Sequence, residues 1–177
     1  MRERTFTWED PANLWDAASA LSGVERLQMV VDGKLPGPPM ARLMDIRIVE
    51  VSNGRAVFAG TPAEFHYNPI GVVHGGYGAT ILDSAMGCAV HSTLKAGDIY
   101  TTLELKINFL RPLTSTTGMV RGIAIVIHAG RTTALAEGRL EDAGGRLCAY
   151  ASSTCLIRRV QSSEFRVKNQ PADRSRS

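Results

Sequence analysis

Apolar and polar residues alternate strictly along Thr102–Phe109. Leu103, Leu105, Ile107 and Phe109 fall on one side, and Thr102, Glu104, Lys106 and Asn108 on the other. A period of two predicts a strand with one buried face, and Pro112 ends it. Residues 118–128, 132–141 and 146–157 repeat the strand pattern, separated by the turn sequences Ala129-Gly130-Arg131 and Asp142-Ala143-Gly144-Gly145. Long strands joined by tight turns predict an antiparallel meander. Upstream, residues 42–51 alternate and are β-branched, Asn53-Gly54 is a hairpin signal, and residues 55–60 supply the returning strand.

Two segments follow helical spacing instead. Ser22-Gly23-Val24-Glu25 has the capping-box pattern, Gly33 stands where a helix C′ residue belongs, and Pro36 follows. These bounds predict a short helix over 23–32, whose Val24, Leu27, Val30 and Val31 form a packing face, and a Pro/Gly linker over 34–39. The second helix runs roughly 75–94. It is apolar nearly all round and rich in glycine and alanine, which predicts a buried helix that a sheet can wrap closely. Helix, hairpin, long helix and then long antiparallel strands make an α+β layout with one sheet around one central helix. Such a sheet has open edges, so pairing between subunits is expected.

Composition narrows the function classes. The 177 residues allow one domain with a real core plus extensions, here 1–20 as an N-terminal extension (Trp8, Leu14 and Trp15 expected to anchor it), 21–157 as the domain and 158–177 as a tail. The net charge is +3, but 158–177 holds six basic residues against two acidic ones, so the rest of the chain carries about −1. A basic, solvated tail on a neutral body argues against a nucleic-acid groove in the fold. No apolar run reaches transmembrane length, and the N-terminus lacks the apolar stretch of a secretory signal; a cytoplasmic protein is expected. Cys88, Cys148 and Cys155 show no C-x-x-C spacing and fit free thiols, and the four histidines form no metal pattern. Neither metal nor cofactor is expected.

The candidate chemistry sits where the loop Asn68-Pro69-Ile70-Gly71-Val72-Val73-His74-Gly75-Gly76 enters the long helix. A helix N-terminus offers unpaired N–H groups and partial positive charge. Two glycines there let a ligand reach the backbone, a natural place for a developing oxyanion. Eight residues after Gly75 comes Asp83, a carboxylate in a small, apolar run. A carboxylate in such a place needs a partner or a task. At ~1.5 Å rise per residue the two lie roughly 12 Å apart along the helix, too far for one small reacting group to touch both. If both serve one reaction, each site combines Gly75 of one chain with Asp83 of another, and the protein is at least a dimer.

The set Asn68-Pro69-x-Gly71-x-x-His74-Gly75-Gly76 with Asp83, the strand Thr102 to Pro112, Gly130-Arg131-Thr132 and Gly145-Arg146-Leu147, in that order, resembles the hotdog-fold acyl-CoA thioesterases of the PaaI-like (phenylacetate-pathway) branch. The likeness covers roughly 20–157. It implies a hotdog homodimer, commonly paired into a homotetramer as a dimer of dimers, that hydrolyses acyl-CoA thioesters. It implies Asp83 as nucleophile or general base, the Gly75 N–H as the group that polarises the thioester carbonyl, Asn68 and His74 as its helpers, and Thr102 as a water-orienting hydroxyl. Gly76 would contact substrate, and Arg131 and Thr132 would approach the pantetheine or phosphates of CoA. Each residue also has a local reading. Asn68 could shape a turn, His74 could bond within its loop, Asp83 could be a structural carboxylate at an interface, and Arg131 could be solvated. Two other functions fit the pattern: a hotdog hydroxyacyl-thioester dehydratase with His74 as base, and a non-catalytic acyl-CoA-binding domain.

Overall fold

The computed structural model describes residues 1–11 and 20–159. Leu14, Trp15 and the tail beyond Arg159 lie outside the described residues. The chain runs α1 (Gly23–Val31), α2 (Pro39–Met44), β1 (Ile46–Ser52), β2 (Arg55–Gly60), a 3₁₀ turn (Glu64–His66), α3 (Gly75–His91), β3 (Asp98–Phe109), β4 (Val120–Ala129), β5 (Thr133–Glu141) and β6 (Leu147–Arg159). The six strands form one antiparallel sheet in the order β1-β2-β4-β5-β6-β3. One face packs on α3, whose Tyr77, Ile81, Leu82, Ala85, Met86, Ala89 and Val90 are the centre of the core. The two ends of the sheet, β1 and β3, are its edges. No helix among the described residues is long and apolar enough to cross a membrane.

The glycines and alanines of α3 set how closely the sheet approaches. A Cβ on Gly87 would lie 2.5 Å from the Tyr100 hydroxyl oxygen, and on the sheet side a Cβ on Gly122 would lie 2.4 Å from Ile81 Cγ2. Helix and sheet meet at separations that any side chain there would prevent.

Most predicted elements form, with instructive departures. The capping box at α1 is realised through Glu25, whose carboxylate accepts from the Ser22 N–H at 2.9 Å and from its hydroxyl at 2.6 Å. Gly33 closes α1 at φ +72°. The expected strand over 42–51 is corrected at its start. Residues 39–44 form α2, and the strand begins at Ile46. Pro39 opens that helix at its first position, where a missing N–H costs nothing, and Met40 to Met44 are strong helix formers. The long helix ends at His91 rather than 94. The Ser92 and Thr93 hydroxyls donate to the carbonyls of Ala89 and Val90 (2.7 and 2.8 Å), and Ser92 Oγ accepts from the Gly54 N–H of the first hairpin at 2.8 Å, which turns the chain out of the helix. At the N-terminus, Trp8 is 58% exposed and stacks on Phe6, so it does not anchor the extension. Arg4 does, donating to the Leu43 carbonyl at 2.7 Å and lying 3.9 Å over the Phe65 ring.

The strict alternation expected for β3 fails at one residue. The β3–β6 register slips between Thr102 and Glu104, leaving Leu103 without a partner. This is a β-bulge. Leu103 is thrown outward, 58% exposed, and the parity changes across it. Thr102 therefore faces α3 together with Leu105, Ile107 and Phe109, not opposite to them.

Candidate active site

The loop before α3 is built by Asn68. Its side-chain oxygen accepts from the N–H groups of Ile70 (3.1 Å) and Val72 (3.3 Å), while its own N–H donates to the Val72 carbonyl and its carbonyl accepts from Gly71. Gly71 adopts φ +82°, a left-handed turn that glycine takes without strain. An asparagine that bonds two residues ahead holds a turn. Asn68 thus fixes the direction in which the chain enters the helix.

His74 is the N-cap of α3. Its Nδ1 accepts from the Gly76 N–H at 2.8 Å, so the ring sits in the tautomer with the proton on Nε2. The Gly76 N–H is committed to this bond and is not free for a ligand. The Tyr77 N–H is also used, donating to the His74 carbonyl. The Gly75 N–H makes no hydrogen bond among the described residues. It opens on a cavity of about 370 Å³ whose walls include His74, Gly78, Phe109, Arg111 and Leu140. The Phe109 ring lies over Gly75, its Cζ only 3.1 Å from where a Cβ would stand.

Asp83 lies two turns further along α3, half-buried. The Thr102 hydroxyl donates to its Oδ1 at 3.0 Å, a bond that exists because the bulge at Leu103 brings Thr102 to the helix side. Among the described residues, its second oxygen takes no hydrogen bond. The carboxylate's charge is felt by Cys88 and Tyr100. The Cys88 thiol is pushed up to about 12, mainly by burial and next by Asp83, and the Tyr100 phenol is raised well above its ordinary value by burial, Cys88, Cys155 and Asp83. Both stay protonated at neutral pH. The thiol and the phenol nearest the Asp83 carboxylate are therefore neutral. The pattern along the sequence does not reveal Tyr100, Cys88 and Phe109 as neighbours of the site. Only Tyr100 carries a usable sign, standing two residues before Thr102 on the same strand face.

Arg131 and Thr132 are exposed in the turn between β4 and β5. The register pairs Thr102 with Cys155 and Cys155 with Ala134, and the Thr132 carbonyl accepts from the Ile157 N–H at 2.8 Å. The turn therefore stands at the Thr102 end of β3, one strand away. Within one chain the structure brings Asp83 and Thr102 together, and separately Asn68, His74, Gly75 and Gly76. The cavity at Gly75 does not include Asp83.

Residues 70–149 match the model of the thioesterase superfamily. A Saccharolobus solfataricus protein, an esterase by its name alone, is 32% identical over 120 residues, 68% of this chain and 84% of that one. The 1,4-dihydroxy-2-naphthoyl-CoA hydrolase of Listeria monocytogenes is 26% identical over 114 residues, 64% of this chain and 91% of that one. Among solved structures, a phenylacetic acid degradation-related protein of Ralstonia eutropha superposes with a TM-score of 0.67 at 30% identity, over 73% of this chain and 98% of that one.

Proposed function

The chain belongs to the thioesterase superfamily, with its hotdog fold, and we propose that it hydrolyses an acyl-CoA thioester to the free acid and CoA in a site shared by two subunits. One observation carries the reading. The unpartnered Gly75 N–H at the head of α3 and the Asp83 carboxylate held by Thr102 are the two groups the reaction needs, yet eight residues of helix part them within one chain.

The thioester carbonyl oxygen accepts from the Gly75 N–H of one subunit. As attack proceeds, negative charge grows on that oxygen, next to an N–H donor and the positive end of the helix dipole, a stabilisation worth about 3–4 kcal/mol. Asp83 of the other subunit delivers the attack, either as nucleophile on the carbonyl carbon or as the base that takes a proton from water. The C–S bond breaks, the CoA thiol leaves with a proton, and water supplies the hydroxyl of the acid. Asn68 and His74 act by holding the loop and cap that aim Gly75. Thr102 orients the Asp83 carboxylate. The exposed Arg131 and Thr132 are placed to meet the pantetheine or phosphates of CoA.

The unpaired outer edge of the 12-residue β3 is the surface through which two chains would join their sheets. On the outer face, Ile125, Ile127 and Leu135 are 42%, 51% and 39% exposed, and this apolar patch is where two dimers would pair into a tetramer. The state of His74 weighs against a dehydratase. With Nδ1 accepting from Gly76, Nε2 carries the proton and cannot serve as a base.

The test is CoA release from a panel of acyl-CoAs, comparing wild type with Asp83→Asn. Turnover that collapses in a folded mutant supports the reading. Equal activity in the mutant refutes the role of Asp83. Saturable binding without turnover would favour the non-catalytic alternative.

A further inference from the structure

Resting on that reading, we propose that the acyl group is received by a second cavity, roofed by α1, and that the substrates are thioesters of extended apolar acyl chains of roughly eight carbons or more, the class a deep apolar pocket suits. The cavity measures about 960 Å³ and lies between α1, β1 and the C-terminal half of α3.

Both elements that hold the Asp83–Thr102 bond lead into it. On α3, the lining residues Ser84, Cys88 and His91 form one helical stripe that starts immediately after Asp83. On β3, Tyr100 stands on the same face as Thr102 and supplies the opposite wall. The lining begins one residue from Asp83 on α3 and two from Thr102 on β3, although neither of those residues lines the cavity itself. The roof is Arg26, Leu27, Val30 and Val31 of α1, and the floor is Ile46, Ile48 and Phe58. The inner walls are not wholly apolar, since Arg26 of α1 and His91 of α3 stand among the lining residues. The Tyr100 phenol stays protonated, raised mainly by burial, and His91 is held neutral, its pKa down to about 4 by burial and the Arg26 charge. Charged side chains (Lys34, Arg42 and Arg47) are exposed and stand at the outer end, where α1 hands over to α2. A corridor whose roof and floor are mainly apolar favours chain length, since each buried methylene is worth about fourfold in affinity. The smaller cavity at Gly75, about 370 Å³, is less suited to a long chain.

The experiment measures kcat/KM for butyryl-, octanoyl- and dodecanoyl-CoA with wild type, Val30→Trp and Met40→Trp. Val30 is half-buried in the roof, and Met40 is 50% exposed at the outer end, so both positions can take a larger ring. Wild type is expected to favour octanoyl over butyryl by at least tenfold, and each variant to lower the dodecanoyl-to-butyryl ratio about tenfold. A ratio is insensitive to the fraction of protein that folds. A wild type that favours butyryl, or ratios unmoved in both variants, overturns the proposal. So does a ratio that falls instead in Leu110→Trp, at the cavity beside Gly75. Absence of turnover on every acyl-CoA would sink the thioesterase reading rather than this one. The cavity is then read by dodecanoate binding: saturable binding weakened in Val30→Trp supports it, and no binding overturns it.

Discussion

Thr102 donates a 3.0 Å hydrogen bond to Asp83 across 19 residues of chain, and a single bulged residue, Leu103, makes that meeting possible. Hydrogen bonds to a charged group are worth about 1.5–3 kcal/mol. Thr102→Val should lower kcat by about 10- to 100-fold with little change in KM, and Thr102→Ser should recover most of it. Steady-state kinetics of the two variants decide. Equal kcat in Thr102→Val would leave the bond a structural one.

Deleting Leu103 removes the bulge and leaves Glu104 alone between Thr102 and Leu105, so strict alternation keeps Thr102 on the α3 face. The deletion variant should fold, by circular dichroism, and keep most of its activity, because Thr102 still reaches Asp83. Activity lost as in Thr102→Val would show that the local shape of the bulge, and not only the face on which Thr102 stands, positions its hydroxyl.

A site assembled from two chains makes a complementation prediction. Gly75→Ala sets a methyl 3.1 Å from the Phe109 ring, in the path to the Gly75 N–H, and Asp83→Asn removes the carboxylate. Each variant alone should be nearly inactive. Subunits mixed by unfolding and refolding together should regain about a quarter of wild-type activity. Half of the dimers are then mixed, and each mixed dimer has one intact site out of two. No recovery on mixing, with mixed dimers demonstrated by native mass spectrometry, would place Gly75 and Asp83 in separate functions.

The buried His91 makes stability depend on pH. Its pKa is lowered from 6.5 to about 4, chiefly by burial and next by the Arg26 charge. Between those values the unfolded chain takes a proton that the folded chain refuses. The stabilisation is therefore whole above about pH 6.5 and is lost as pH falls towards 4, by roughly 2 kcal/mol between pH 7 and 5. His66, also lowered mainly by burial, acts in the same direction. Denaturant midpoints at pH 7 and 5 should differ less in His91→Gln than in wild type. An identical slope would mean that His91 does not carry the effect.

Gly23 secures α1, the roof of the larger cavity. A Cβ there would lie 1.7 Å from the His91 carbonyl oxygen and 2.7 Å from its carbon, and the Gly23 N–H donates to the Leu94 carbonyl at 2.9 Å. These are backbone atoms that cannot yield as a flexible side chain would. Gly23→Ala should cost about 3 kcal/mol or more, lowering Tm by about 6–12 °C, with faster amide exchange in α1. A Tm within a degree or two of wild type would show that α1 repacks without strain.

The sequence by itself determined the sheet's period, the one long helix and its glycine-rich entry. These are local matters: alternation, helical spacing, and turn residues such as Gly33, Gly54 and Gly71 whose φ values are all positive. It also determined the distance argument, because a helix converts eight residues from Gly75 to Asp83 into a fixed length. The tertiary structure decided what local pattern could not. Alternation placed Thr102 away from the core side, but β6 pairs with β3 in a register that bulges at Leu103 and brings Thr102 to Asp83. Residues 42–44 read as strand, yet Pro39 starts a helical turn before them. Which N–H group at the helix head stays free was settled by the His74 ring, which takes that of Gly76 and leaves that of Gly75. The larger cavity is lined by α1, β1, α3 and β3 together. Such a space depends on how distant segments pack, and no single stretch of chain encodes its shape.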